Sequence, residues 1–447
     1  MISHYAMSLL AYNFFIHAVA APVLAAYYLP QILLKGKYRN SLLGKLGSLP
    51  SDFAPDKLTE PRLWFHAVSV GEVVALGPVI KAIKELMPHA AVVVSTGTET
   101  GQQKARELIG EADGFLYLPL DFPRFLKPLV RKIRPDLFVL METELWPNLI
   151  HILKANGTAI ALANGRISDR SFPRYRRMRG FFSSTLEKID LFLMSSEIDG
   201  QRIAEMGAAG DRILVTGNTK FDAALAKLPT DAGNGIKEML GLEGSEMVMV
   251  AGSVHPGEYE IVLDAYNVLA ERFPQLILVV VPRHIERTPQ IIAAMMDRGM
   301  KAPFLRSSAD TGKKRNDTPV VVVDRIGELF QIFSLASVVF MGGSLVPRGG
   351  QNILEPAAWG KVVLFGPSME DFRDARDVLV AAGAGIQVNG ADDIVRLCSQ
   401  ILSNPDDAHS RGKRGRDEIL KNVGSSRKDA VLLAQLLKWQ EGKHSAR

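Results

Sequence analysis

Short apolar runs alternate with longer stretches of helical spacing along most of this chain. In the first half the runs are Leu63–Val68, Ala91–Ser95, Phe115–Leu118, Leu137–Met141, Thr158–Ala163, Leu191–Met194 and Ile213–Val215. In the second half they are Met247–Ala251, Leu276–Val281, Val320–Val323, Val338–Met341, Lys361–Phe365 and Gly385–Val388. Runs that stay apolar at successive positions fit strands buried on both faces. Between them, residues such as Val73, Leu76, Ile80 and Ile83 fall on one helical stripe. Strands and helices in alternation predict parallel sheets wound with helices on both sides. The pattern breaks at Leu228–Gly244, rich in Gly, Pro and Asp, and then restarts. The expected organisation is an α/β domain over residues 41–228, a second over 229–425, and a closing segment, 426–447. The helix of that segment, Ser426–Trp439, would pack back toward the first domain.

The amino terminus has a different pattern. Residues 1–34 contain no Lys, Arg, Asp or Glu, and Leu9–Leu34 is apolar apart from Asn13, His17 and Gln31. That is long enough to cross a bilayer, which takes ~20 apolar residues. Lys35, Lys37, Arg39 and Lys45 follow it, so the positive-inside rule keeps the body of the chain in the cytoplasm. Residues 1–40 are thus expected to anchor the protein at the inner membrane. Pro22, Pro30 and His17 leave open a helix lying in the interface. Ala18–Ala21 also resembles a signal cleavage site, although no basic region precedes it.

Polar residues concentrate where the apolar runs end. Ser69-Val70-Gly71-Glu72 follows the first run and opens a helix. Glu72 in that first turn either complements the helix dipole or serves a ligand at the mouth of the sheet, where open α/β sheets bind. Ser95–Gly101 suits an anion or a simple helix cap. Glu142-Thr143-Glu144-Leu145-Trp146-Pro147-Asn148 places two carboxylates beside a Trp at a strand end. Asn164–Arg170 leads into a stretch whose arginines, among them Arg170, Arg174, Arg176 and Arg177, interleave with aromatics. Next to a membrane segment, that face is expected to meet anionic lipid headgroups. Gly217-Asn218-Thr219-Lys220-Phe221-Asp222 closes the half.

In the second half, Gly252–Glu258 follows the first strand. Pro282-Arg283-His284 ends another, where Arg283 suits a phosphate or a surface ion pair. Ser307–Thr318 is basic and polar, and is expected to be a mobile loop. The densest loop is Gly342–Pro356, whose glycines let the backbone approach a ligand closely. A helix starting near Asn352 would offer free N–H groups to a phosphate, with Glu355 placed for a ribose diol. Neither GxGxxG nor GxxxxGK[ST] occurs, so nicotinamide and P-loop chemistry are not indicated.

Composition narrows the field further. At 447 residues with 47 % hydrophobic and 23 % charged content, the chain fits two globular domains without a large disordered share. The single cysteine, Cys398, excludes an internal disulfide and multi-cysteine metal sites. No HExxH occurs, and His66, His255 and His284 are scattered, so no metal site is expected. A net charge of +5 permits anionic partners, but no nucleic-acid module is present.

SVGE at Ser69–Glu72, ETELWPN at Glu142–Asn148, NGRISDRS at Asn164–Ser171, GNTKFD at Gly217–Asp222, PRH at Pro282–His284 and GGQNILEP at Gly349–Pro356 together resemble one family. It is that of the 3-deoxy-D-manno-octulosonic acid (Kdo) transferases of lipopolysaccharide synthesis. The resemblance implies two Rossmann-like domains facing a cleft, the GT-B type of glycosyltransferase. It implies transfer of Kdo from CMP-Kdo to a lipid A precursor, lipid IVA, with inversion. CMP-Kdo is then the donor substrate, and no cofactor, metal or nucleic acid is involved. By the same resemblance Glu72 is the general base, and Glu142 and Lys220 stabilise the transition state. Pro282, Arg283, Ile326, Gly327, Glu328, Asn352, Ile353, Leu354 and Glu355 bind CMP. Arg166, Arg170, Arg174, Arg176 and Arg177 are expected to meet the acceptor and the anionic lipids of the inner membrane. Ile353 stands where the family more often has Pro. Two alternatives are a lipid glycosyltransferase of the same fold with another nucleotide sugar, and a non-catalytic, membrane-attached sugar-nucleotide binder.

Overall fold

A computed structural model describes residues 4–20, 22, 23, 26, 30, 39–228, 234–242, 244 and 246–445. The chain divides into two units, Met1–Ala223 with Val423–Arg447, and Ala224–Asn422. Each is built on a seven-stranded, wholly parallel sheet.

The first sheet comprises β1 Arg62–Ala67, β2 Ala91–Thr96, β3 Gly114–Tyr117, β4 Leu137–Met141, β5 Ala159–Gly165, β6 Leu191–Met194 and β7 Ile213–Val215. Their order is β3-β2-β1-β4-β5-β6-β7, so the winding reverses between β1 and β4. Successive residues of β1 serve opposite cores. Leu63 and Phe65 join Val73, Leu76 and Ile80 of helix Val70–Leu86. Trp64 joins Phe138, Leu126 and Leu149 on the other side. Two covered faces explain the unbroken apolar runs. The return segment forms helix Ser425–Ser445, which brings Ala430, Leu433 and Leu437 into the core beside helix Val70–Leu86.

In the second unit the strands are β8 Met247–Val254, β9 Leu276–Pro282, β10 Phe304–Leu305, β11 Val320–Val322, β12 Val338–Met341, β13 Val363–Phe365 and β14 Gly385–Gln387. The order is β10-β11-β9-β8-β12-β13-β14, with the reversal between β8 and β12. β10 is too short to show as an apolar run and was not expected. Cys398 lies in the core with Phe340 and Leu364, and burial pushes its thiol up to about 12.

The expected membrane segment, residues 9–34, lies only partly within the described residues. Its described part lies mostly in helix His4–Phe15, which widens into a π-helical turn at Ile16–Ala20. Among the described residues no helix is long and apolar enough to cross a membrane. Helix His4–Phe15 instead lies on the first unit. Tyr12 donates to Asp121 at 2.9 Å, and the amides of Asn13 and Asn148 exchange hydrogen bonds at 3.0 and 2.9 Å. Leu10, Phe14, Phe15, Val19 and Val23 remain exposed.

Leu433 is fully buried in the first unit's core. Leu433→Ala should therefore cost about 2–5 kcal/mol. The measurement is the denaturant midpoint, which should fall; an unchanged midpoint would mean the return helix is not part of that core.

Candidate active site

In the first unit, two strand ends flanking the winding reversal carry the chemistry. After β1, Ser69 caps helix Val70–Leu86 by accepting from the Glu72 amide at 3.3 Å. Its hydroxyl donates to Glu72 Oε1 at 2.9 Å, and the Val68 amide donates to Oε2 at 2.8 Å. This is a variant of the capping box in which the carboxylate takes the Val68 amide instead of the N-cap amide, so Glu72 does complement the helix start. It is more than a cap, because its carboxylate is buried, with 7 % of the residue exposed. Burial, and then the charge of Glu142, push its pKa up to about 7; the bonds from Val68 and Ser69 hold it back only in part. A carboxylate poised there can take a proton at neutral pH.

After β4, Glu142 occupies the left-handed region at φ 57° and donates its amide to Ala163 of β5 at 3.0 Å. Lys220 Nζ reaches Glu142 Oε1 at 2.7 Å. Burial alone would push Glu142 up, but Lys220 and then Arg166 override it and hold the carboxyl below its ordinary range. Glu144 goes the other way, raised by burial and by Glu142. Lys220 arrives on helix Thr219–Ala226, whose first amide donates to Asn164 Oδ1 at 3.0 Å. Asn164 holds a left-handed conformation, φ 51°, within β5 close to its end. His66 beneath the site is fully buried and bonded to Ser95 through Nδ1; burial lowers it to about 4, so it stays neutral.

The structure therefore brings together Glu72, Glu142, Lys220 and Arg166. Arg170, Arg174, Arg176 and Arg177 stand apart from them as exposed side chains. Arg174 lies over Tyr175 and Arg176 over Phe172. The next helix, Arg179–Leu186, meets the amino-terminal helix through Phe181 and Tyr12, with ring centroids 5.8 Å apart.

The second unit repeats the plan with different groups. Glu258, fully buried after β8, accepts from the amides of His255, Gly343, Ser344 and Leu345 at 2.9, 2.7, 2.9 and 2.9 Å. It binds the ends of β8 and β12 together across the reversal. Sequence reasoning did not single it out; the only local signal was a carboxylate three residues after His255. Gly342 has no room for a side chain, since a Cβ would come 2.5 Å from the Ser253 carbonyl oxygen.

Pro282 ends β9, and the Arg283 amide donates to Val254 at 3.0 Å, leaving an exposed guanidinium. The His255 and His284 rings stand edge to face 6.1 Å apart. Burial lowers His255, Glu258 opposes it, and His284, Arg283 and Arg348 lie close enough to add to the lowering, so these groups share one neighbourhood. Arg348 belongs to it although sequence reasoning gave it no role. The group is suited to an anion. After β11, Ile326 is 84 % exposed and Gly327 has φ 98°. Glu328 accepts from Arg306 at 2.8 Å, while its Oε2 is buried with no partner.

The helix expected near Asn352 begins at Leu354 and runs five residues to Ala358. Its entry is already occupied: Asn352 Oδ1 accepts from the Leu354 amide at 3.2 Å. Ile353 and Leu354 are fully buried, so their side chains serve the core. Glu355 is paired with Lys227. Among the described residues no group of three His, Cys, Asp or Glu is placed to hold a metal ion.

The sequence model of the family described as 3-deoxy-D-manno-octulosonic-acid transferase (kdotransferase) matches residues 41–223. A 3-deoxy-D-manno-octulosonic acid transferase of Haemophilus influenzae is 30 % identical over 402 residues, covering 90 % of this chain and 92 % of its own length. A bifunctional glycosyltransferase/methyltransferase of Fusobacterium nucleatum is 34 % identical over 358 residues, 79 % of this chain; the match spans only 54 % of that protein. Among solved structures, a UDP-GlcNAc 2-epimerase from Neisseria meningitidis aligns with TM-score 0.59 at 16 % identity, covering 84 % of this chain and 100 % of its own. A glycosyltransferase from Rickettsia africae aligns with TM-score 0.57 at 13 % identity, covering 84 % and 98 %. At such identities these two show the fold.

Removing the Glu142 charge should release Glu72. In Glu142→Gln, Glu72 is expected to titrate below about 7, with burial still holding it above the ordinary carboxylate range. Carbon-13 NMR of labelled Glu carboxyls reads this directly; an unmoved titration would mean that Glu142 does not act on Glu72.

Proposed function

Since the chain belongs to the Kdo transferase family and is a glycosyltransferase, we propose that it moves Kdo from CMP-Kdo to the lipid A precursor lipid IVA, with Glu72 as the general base. The observation that carries this reading is a buried, backbone-anchored carboxylate at Glu72, poised near neutrality beside an ionised Glu142.

In the proposed step an acceptor hydroxyl attacks the anomeric carbon of Kdo from the face opposite the phosphate. A carbon–oxygen bond to the acceptor forms as the bond to the phosphate breaks, which inverts the centre. Glu72 takes the hydroxyl proton as the oxygen loses charge to the new bond. CMP departs with the electron pair of the broken bond. Arg283 and Arg348 are the cations suited to the charge that develops on its phosphate. Glu142, kept ionised by Lys220, offsets positive charge at the sugar carbon in the transition state. No cofactor is required, since the donor brings its own leaving group.

The acceptor is proposed to arrive from a membrane surface. The exposed Leu10, Phe14 and Phe15 of the amino-terminal helix and the exposed Arg170, Arg174, Arg176 and Arg177 supply the two ingredients of interfacial binding, apolar insertion and attraction to anionic headgroups. The setting proposed is the cytoplasmic face of the inner membrane.

The test is transfer itself. Protein, CMP-Kdo made in situ and lipid IVA should yield a lipid heavier by one or more Kdo units in mass spectrometry. Glu72→Ala should lower the rate by ~10²-fold or more while CMP still protects the protein from thermal unfolding. Near-normal turnover in that variant would sink the mechanism. In the wild type, kcat/KM should fall as pH drops through about 7, because the base is lost on protonation.

A further inference from the structure

Helix Thr219–Ala226 presents two charged side chains to different parts of the first unit. Lys220 pairs with Glu142. Two residues later, Asp222 Oδ1 accepts from the Gly424 amide at 2.7 Å, and Oδ2 accepts from the Ser426 amide at 3.1 Å and its hydroxyl at 3.2 Å. These partners are the first residues of the return segment, 202 and 204 positions away in sequence.

A helix start ordinarily takes its cap from its own chain, through Ser, Thr, Asp or Asn at the preceding residue. Helix Ser425–Ser445 has Gly424 there, at φ 97°, and receives its carboxylate from Asp222 instead. The approach is close on the other side as well. Gly217, at φ 100°, sits where a Cβ would come 2.4 Å from Ser425 Oγ. The turn between Gly217 and Asp222 is thus pinned at both ends. Asn164 holds the Thr219 amide, and the return segment holds Asp222.

We propose that Asp222 is a positioning residue for the transfer reaction: by gripping residues 424–426 it fixes the turn that aims Lys220 at Glu142, and so makes the carboxy-terminal helix a support of the catalytic cluster. This rests on the functional reading above, in which Lys220 and Glu142 serve the transition state. A loosened turn leaves the donor groups of the second unit untouched but misplaces the cation. Misplacement by about an ångström is enough to cost up to ~10²-fold in rate.

The experiment is a double-mutant cycle on the full chain with Asp222→Ala and Lys220→Met, alongside hydrogen–deuterium exchange without substrate. Asp222→Ala should lower kcat by ~10-fold or more and leave the KM for CMP-Kdo nearly unchanged. In the Lys220→Met background it should lower kcat no further, since the side chain it positions is gone. Exchange should quicken at the amides of residues 218–221. A full additional loss in the double variant, or exchange altered only at 424–427, would overturn the proposal and leave Asp222 a remote cap. Should Asp222→Ala not fold, Ser426→Ala and Asp222→Asn weaken the same grip by fewer bonds and are read in the same way. A wild type that transfers no Kdo defeats the functional reading alone; the exchange data still decide whether Asp222 holds the turn.

Discussion

The ion pair between Lys220 and Glu142 sets the electrostatics of the first unit's strand ends. Burial pushes the half-buried Glu142 carboxyl upward, and Lys220, with Arg166, reverses that direction. At a typical effective dielectric for such sites, unit charges ~4 Å apart interact by about 4 kcal/mol, or about three pKa units. An ionised Glu142 then acts on Glu72, adding to burial in lifting it into the neutral range. Pairs of this kind are a weak source of stability, since an apolar replacement often folds as well or better. Their value lies in the charge state they hold, and here that state adds to burial in setting where the neighbouring Glu72 titrates.

The two units place a carboxylate at corresponding points and use it differently. Glu72 and Glu258 each open the helix after the first strand of their unit, beside the reversal of winding. Glu258 accepts four backbone amides and is committed to holding a glycine-rich loop. Glu72 accepts one amide and one hydroxyl. Hydrogen bonds to the ionised form stabilise it, so two of them leave burial and Glu142 in control. The position supplies a buried carboxyl, and the number of N–H groups aimed at it separates a scaffold role at Glu258 from the role proposed for Glu72.

Much of this was legible in the chain. Parallel strands covered on both faces announce themselves as apolar runs, and polar residues directly after such runs, as at Glu72 and Glu142, mark the sheet's mouth. Contacts distant in sequence left no such trace. Glu258 meets amides 85 to 87 residues away, and Asn164 meets the Thr219 amide 55 residues on. Arg166 was grouped with its arginine neighbours by proximity in the chain, yet its charge acts at Glu142. The amino-terminal stretch also makes contacts that its hydropathy does not register. Hydropathy averages over Tyr12 and Asn13, whose polar atoms bond to Asp121 and Asn148 and hold the helix on the protein.

The structural likenesses also separate what a fold supplies from what side chains supply. A UDP-GlcNAc 2-epimerase superposes on 84 % of this chain at 16 % identity, so two wound parallel sheets serve more than one chemistry. A frame of this kind delivers strand ends to a common edge, where backbone amides and loop side chains can be exchanged without repacking the cores. In this chain the first sheet's edge carries acids with a lysine and an arginine, and the second carries glycines, arginines and histidines. An acid able to accept a proton and cations able to receive a phosphate are the two requirements of displacing a sugar from a nucleotide. In the proposed reaction those requirements fall to Glu72, Glu142, Lys220, Arg283 and Arg348, and the fold explains only why residues so far apart in sequence have strand ends to occupy.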